Sequence, residues 1–175
     1  MSPTQKRTFR AWALLDRDGT IIVDKIYLSD PNGIEFASGA LNGMRLLRDA
    51  GFGLVLVTNQ SGIARGYFDN AALATVHARL VELLASEGLT LEAIKHCPHG
   101  PNDGCDCRKP APGMIRAAME DLGFDPTRAV MIGDSDADMG AATAGIPGIR
   151  IDLNGGSDVA TDFLQAARRA AALFS

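Results

Sequence analysis

The 175-residue chain is 46% hydrophobic and 22% charged, with a formal net charge of -4, which fits a globular protein with a core of its own and excludes a disordered or nucleic-acid-coating chain. The slight acidity gives no general attraction to a polyanion, and no stretch approaches the ~20 apolar residues of a membrane span. Three cysteines confined to residues 97–107 offer no loop-stapling disulfide framework, and the basic N-terminal MSPTQKRTFR lacks an apolar core of signal-peptide length, so the cytoplasm is the expected address.

In chain order, AWALLD at 11–16 reads as a first buried strand. The stretch 19–36 reads as an extended flap or hairpin, because its β-branched residues and its Pro31-Asn32-Gly33 turn oppose a helix. Residues 39–51 have helical spacing and stop at Gly51, and GLVLVTN at 53–59 is a second strand. A helix over 69–88 stops at Gly88, AIKHC at 93–97 is a third strand, and a helix over 111–123 stops at Gly123. AVMIGD at 129–134 is a fourth strand, SDADMGAATAG at 135–145 a helix, and GIRID at 148–152 a fifth strand; no element is assigned beyond it.

Strands without polar alternation, separated by amphipathic helices, predict an α/β fold, a doubly wound parallel sheet of Rossmann-like type covered on both faces. No composition break, repeat or linker divides the chain, so residues 1–175 are expected to form one domain. In such sheets ligands bind beyond the carboxyl ends of the strands. The residues collected there are Asp16 and Asp18 after the first strand, Thr58, Asn59 and Gln60 after the second, and Asp134 with Asp138 after the fourth; Lys109 follows the cysteine-rich loop.

Carboxylates converging on one edge repel one another unless a divalent cation neutralises them, and hard oxygen ligands suit Mg²⁺. A lysine and a threonine hydroxyl complete a site for a dianionic phosphoryl group. From these parts a metal-bound carboxylate can attack phosphorus, while a second carboxylate protonates the leaving oxygen and later deprotonates water. In an extended turn Arg17 is expected to point away from its two neighbouring aspartates. Taken one by one, the same residues are ordinary turn and cap residues; the ordered set, each after its own strand, points to a site.

LLDRDGT, TNQSGIARG, CDCRKPAPGM and IGDSDAD resemble the four motifs of the haloacid dehalogenase superfamily, in particular its small capless phosphatases. Over nearly its full length the chain is similar to the D-glycero-D-manno-heptose 1,7-bisphosphate phosphatases, with the histidinol-phosphate phosphatases as nearest neighbours. The resemblance implies Asp16 as nucleophile, Asp18 as general acid/base, and Thr58 and Lys109 as phosphoryl binders. It also implies Mg²⁺ held by Asp16, the Asp18 backbone carbonyl and Asp134, with Asp138 as an auxiliary partner. Relatives often carry Lys or Arg where this chain has Ser135. The implied reaction removes the 7-phosphate of the heptose bisphosphate through an aspartyl-phosphate, on the route to the lipopolysaccharide core precursor. The alternatives are a histidinol-phosphate phosphatase and a phospho-accepting receiver-like module.

CPHGPNDGCDC supplies Cys97, His99, Cys105 and Cys107, a tetrahedral-type set with no vacant position, which predicts structural zinc in the loop 97–107. Such a clamp also fixes where Arg108 and Lys109 point. His96 reads as a strand-end or surface residue and His77 as part of a solvated helix face. Asn59, Gln60, Ser61 and Arg65 offer hydrogen bonds to hydroxyls or to a second phosphate, and Arg108 offers a bidentate clamp. Lys25 and Tyr27 on the flap are further candidates for substrate contact. A monomer acting on a small phosphorylated sugar is expected, with no nucleic-acid or membrane partner; the short zinc loop, with five residues between His99 and Cys105, resembles the histidinol-phosphate form and those heptose enzymes that lack the longer loop.

Overall fold

A computed structural model describes residues 8–156 and 158–175; the basic residues at 1–7 lie outside the described part. Five parallel strands form one sheet: β1 (Ala11–Leu15), β2 (Phe52–Asn59), β3 (Ala93–Cys97), β4 (Ala129–Gly133) and β5 (Gly148–Arg150). Their spatial order is β3-β2-β1-β4-β5. The chain winds outward from β1 through β2 to β3, then returns to pair β4 on the other side of β1. The switch point between β1 and β4 opens the crevice where such sheets bind ligands.

β1 and β4 are buried at every position, and β2 at all but its last, as expected of strands covered on both faces. Ala11, Ala13 and Leu15 face one layer, made by α1 (Ala40–Asp49), α2 (Asn70–Ser86) and α5 (Phe163–Leu173). Trp12 and Leu14 face the other layer, where α3 (Gly113–Leu122) contributes Met114, Ile115 and Ala118. There the Trp12 ring stacks on Phe124 with centroids 4.8 Å apart. The two edge strands are the exceptions to full burial: Cys97 alone is buried in β3 and Ile149 alone in β5.

Three readings change. The segment 135–145 is not one helix but a single turn, α4 (Asp136–Met139), continued by a 3-10 helix over Gly140–Ala144. The flap forms no full hairpin: isolated bridges join Asp18 to Ile22 and Ile22 to Phe36, and a 3-10 turn at Pro31–Gly33 is capped by Asp30. Helix α5 had no assignment. Its buried positions are Phe163, Ala166, Ala167 and Ala170, and alanines at helical spacing give a faint apolar stripe. Among the described residues no helix is long and apolar enough to cross a membrane.

Candidate active site

β1 delivers Asp16 to the switch point, where its N–H donates to the Ile132 carbonyl of β4 at 3.0 Å. The chain then turns at once, with the N–H groups of Ile21 and Ile22 both donating to the Arg17 carbonyl at 3.1 Å. Gly19 makes the turn possible: it sits at φ +74, and a Cβ there would overlap the Asp134 carboxylate. Gly133 allows a second close approach, since a Cβ on it would overlap the side chain of Asp138.

Lys109 lies at the centre, only 4% exposed. Its Nζ donates to Asp16 Oδ1 at 2.8 Å, to Asp138 Oδ1 at 2.5 Å and to the Val57 carbonyl at 2.7 Å. All three of its protons are therefore in use. Carboxylate oxygens of Asp16, Asp134 and Asp138 lie within 4.8 Å of one another. Burial pushes the Asp16 carboxyl up to about 7; Lys109 opposes this and Asp138 adds to it. Burial also raises Asp134, with Asp138 reinforcing the shift. Burial works against the Lys109 ammonium, but Asp16 and Asp138 outweigh it and hold the group above its ordinary value. Three carboxylates around one ammonium, with Asp16 and Asp138 buried and Asp134 not, leave excess negative charge that a divalent cation would neutralise.

The carboxylates are not equally free. Asp138 Oδ2 accepts from the Ser135 N–H at 3.0 Å and from its hydroxyl at 2.6 Å, the capping box of α4. Ser135 is thus engaged in holding Asp138. Asp134 lines a cavity of about 500 Å³ together with Gly19, Thr20 and Arg150.

Asp18 corrects one expectation. Arg17 does not point away: it is fully buried, and its Nε lies 3.2 and 3.1 Å from the two Asp18 oxygens, with Nη2 at 3.1 Å from Oδ1. Strand alternation fails because the backbone leaves the extended conformation at this residue. Arg17 Nη2 also donates to Gln60 Oε1 at 3.0 Å, and Nη1 meets His77 Nε2 at 3.3 Å. His77 is accordingly buried on α2 and not on a solvated face. Burial first, then Arg17 and His96, hold its imidazole down at about 3. Neutral His77 accepts a hydrogen bond from Arg17 at Nε2, and the tautomer follows from its partner, which can only donate. His96 is exposed.

The residues after β2 have defined partners. Asn59 Oδ1 accepts the Lys109 N–H and its Nδ2 donates to the Lys109 carbonyl, both at 3.0 Å. Gln60 Nε2 donates to Asp18 Oδ2 and to Thr58 Oγ1, both at 2.9 Å. Thr58, itself buried, keeps its own O–H to donate. Asp18, Asn59, Gln60 and Ser61 line a cavity of about 260 Å³ together with Asp24, Ile26 and Tyr27 of the flap. Tyr27 packs against Tyr67 with centroids 4.7 Å apart, and the exposed Arg65 guanidinium lies 5.9 Å from the Tyr27 centroid. Lys25 pairs with Glu35 on the flap at 2.7 Å.

Past β3 the chain folds Cys97, His99, Cys105 and Cys107 into one cluster whose ligand atoms lie within 4.8 Å of one another. Cys97 Sγ is 3.0 Å from Cys107 Sγ, and His99 Nδ1 is 3.2 Å from Cys107 Sγ. Burial and the neighbouring Cys107 push the Cys97 thiol up to about 12. Four soft or borderline donors converging on one point form a tetrahedral-type set. Arg108 Nη1 donates back to the His99 carbonyl at 3.1 Å, which ties the residue before Lys109 to this loop.

Residues 106–171 match the family model described as HAD-hydrolase-like. Over 160 residues the chain is 42% identical to the D-glycero-beta-D-manno-heptose-1,7-bisphosphate 7-phosphatase of Photorhabdus laumondii subsp. laumondii, covering 87% of this chain and 85% of that protein. The enzyme of the same name from Pseudomonas aeruginosa is 45% identical over 136 residues, 77% of this chain and 76% of its own length. The crystal structure of D,D-heptose 1,7-bisphosphate phosphatase from B. bronchiseptica, complexed with magnesium and phosphate, superposes with a TM-score of 0.82 at 35% identity, covering 91% of this chain and 97% of the other. With the acidic pair, the threonine, the lysine and the last aspartate all at the sheet edge where such a site belongs, the chain is a member of the haloacid dehalogenase-like phosphatases, in the branch of the heptose bisphosphate phosphatases.

Proposed function

We propose that this protein is a Mg²⁺-dependent phosphatase that removes the 7-phosphate of D-glycero-β-D-manno-heptose 1,7-bisphosphate through an aspartyl-phosphate on Asp16. The observation that carries this reading is the Asp16 carboxylate at the β1/β4 switch point, 2.8 Å from Lys109 Nζ, in a chain so similar to enzymes of that name.

Asp16, Asp134 and the carbonyl of Asp18 would hold Mg²⁺, which when bound neutralises the carboxylates and withdraws charge from the phosphoryl oxygens. An Asp16 oxygen attacks phosphorus while protonated Asp18 gives its proton to the departing sugar oxygen, and the phosphorus–oxygen bond to the sugar breaks. Water then yields a proton to Asp18 as its oxygen attacks phosphorus; the bond to Asp16 breaks and phosphate leaves. Lys109 balances charge through both steps, and the Thr58 hydroxyl donates to a phosphoryl oxygen. Asp138 acts by anchoring Lys109. Asn59 and Gln60 serve chiefly to hold Lys109 and Asp18, while Ser61, Arg65 and Arg108 remain available to the rest of the substrate.

Cys97, His99, Cys105 and Cys107 are assigned to structural zinc, which orders the loop leading to Lys109. Reduced thiolates of this kind fit the cytoplasm. The test is phosphate release from heptose 1,7-bisphosphate anomers and from histidinol phosphate, with Mg²⁺ and with chelator. A kcat/KM that favours histidinol phosphate, normal turnover in Asp16→Asn, or a phospho-Asp16 that persists without turnover would each overturn the reading.

A further inference from the structure

We propose that Arg17 is the positioning residue for Asp18, a role that rests on the acid/base function proposed above. A fully buried guanidinium carries a large desolvation cost unless its donors are met, and here every partner converges on one carboxylate or braces the group that holds it. Nε and Nη2 fork onto Asp18 at 3.1–3.2 Å. The remaining donors reach Gln60 Oε1 at 3.0 Å and His77 Nε2 at 3.3 Å. Gln60 closes the ring by donating to Asp18 Oδ2 at 2.9 Å. Asp18 keeps 24% of its side chain exposed, against 1% for Arg17. The pair therefore presents a carboxylate to the cavity from a buried foundation.

The foundation spans three parts of the fold: the turn after β1, the end of β2, and the middle of α2. His77 stays neutral there and so remains an acceptor. A fork of this kind fixes the plane of the carboxylate, which a single point charge does not. Asp18 is thus held where its oxygen meets the leaving group, and the precision needed for proton transfer comes from Arg17.

The experiment compares two leaving groups. The sugar oxygen of the heptose bisphosphate needs the Asp18 proton to depart; p-nitrophenolate departs without one, its phosphorus–oxygen bond breaking as Asp16 takes the phosphoryl group. In Arg17→Lys, kcat on the heptose bisphosphate is expected to fall at least tenfold with KM nearly unchanged. The burst of p-nitrophenol from p-nitrophenyl phosphate, one per site, should keep its wild-type rate and be followed by slow turnover. Wild-type kcat on the heptose bisphosphate, or equal slowing of the burst, overturns the proposal. Because Arg17 variants can fail to fold, His77→Leu and His77→Gln give a second reading. His77→Leu should lose three- to tenfold on the heptose bisphosphate while sparing the burst, and His77→Gln, whose carbonyl still accepts from Arg17, should restore it; equal kcat in the two overturns the proposal. A wild-type protein that releases no phosphate and forms no acyl-phosphate removes the underlying phosphatase reading instead. Wild-type turnover with no leaving-group discrimination in the variants removes the role of Arg17 alone.

Discussion

Asn59 grips the backbone of Lys109 from both sides, its Oδ1 accepting the N–H and its Nδ2 donating to the carbonyl, each at 3.0 Å. The end of β2 thereby fixes a residue that arrives fifty positions later, at the exit of the cysteine loop. Truncation to Ala removes both bonds, at a cost of about 1–3 kcal/mol. It also loosens the cation that, among the described residues, pairs with Asp16. Asn59→Ala is expected to lower kcat roughly tenfold to a hundredfold. Asn59→Asp should do worse, since its carboxylate faces the Lys109 carbonyl with no proton to give. Thermal melts and phosphate-release kinetics on both variants check the pair.

Gly19 sets the approach of the acidic turn to Asp134. In Gly19→Ala the methyl group meets the Asp134 carboxylate at a positive φ that L-residues rarely adopt. The carboxylate must move, so the Mg²⁺ concentration for half-maximal activity should rise by about a factor of ten or more, equivalent to about 1.4 kcal/mol of binding. An unchanged Mg²⁺ requirement would show that Asp134 is not a ligand.

The edge that carries the candidate site is legible in the sequence because parallel strands buried on both faces read as uninterrupted apolar runs, so the first polar residue after each run marks a strand end. Asp16, Thr58 and Asp134 are found in that way. Arg17 is not, because alternation holds only while the chain is extended, and it turns at that residue. A usable signal existed for His77: Leu73, Val76, Leu80 and Leu84 are the buried face of α2, and position 77 lies four residues after 73 on the same stripe. Helix α5 carried a cap signal too, Asp162 accepting from the Gln165 N–H at 2.7 Å, but its face of alanines has little amplitude. The partners of Asn59 and Gln60 were beyond reach, since side-chain amides serve substrate and scaffold alike until the neighbours are known.

The cysteine cluster carries a metal prediction of its own. Purified protein should contain about one zinc per chain, the stoichiometry of a single four-ligand set. Its removal by a chelator should raise hydrogen exchange first across residues 97–108, while the Asp16 and Asp134 strand ends stay protected by β1 and β4. Activity should fall with the loss of order at Lys109 and return when zinc is restored. Mass spectrometry under native and chelated conditions reads both stoichiometry and exchange; uniform deprotection of the whole sheet would argue against a local clamp.

His77 predicts a pH dependence whose sign follows from its burial. The imidazole titrates at about 3 in the folded protein, against 6.5 for its model value. Between those values the unfolded chain holds a proton that the folded one does not, so stability is full above 6.5 and declines as pH falls toward 3. The slope approaches about 1.4 kcal/mol per pH unit. Asp16 acts with the opposite sign in metal-free protein: with a folded value of about 7 against 3.8, its contribution is full below 3.8 and is lost as pH rises through 7. Comparing wild type with His77→Leu cancels the Asp16 part, since both proteins keep it. At pH 7.5 the variant should be less stable by about 1–3 kcal/mol, because Arg17 loses an acceptor in a buried place. From pH 6.5 to 5 the gap should narrow, since only the wild type carries the histidine penalty. Denaturant unfolding in metal-free buffer across pH 5 to 8 measures it. A gap that stays constant with pH would mean that His77 accepts a proton in the fold, and that Arg17 does not rely on it as an acceptor.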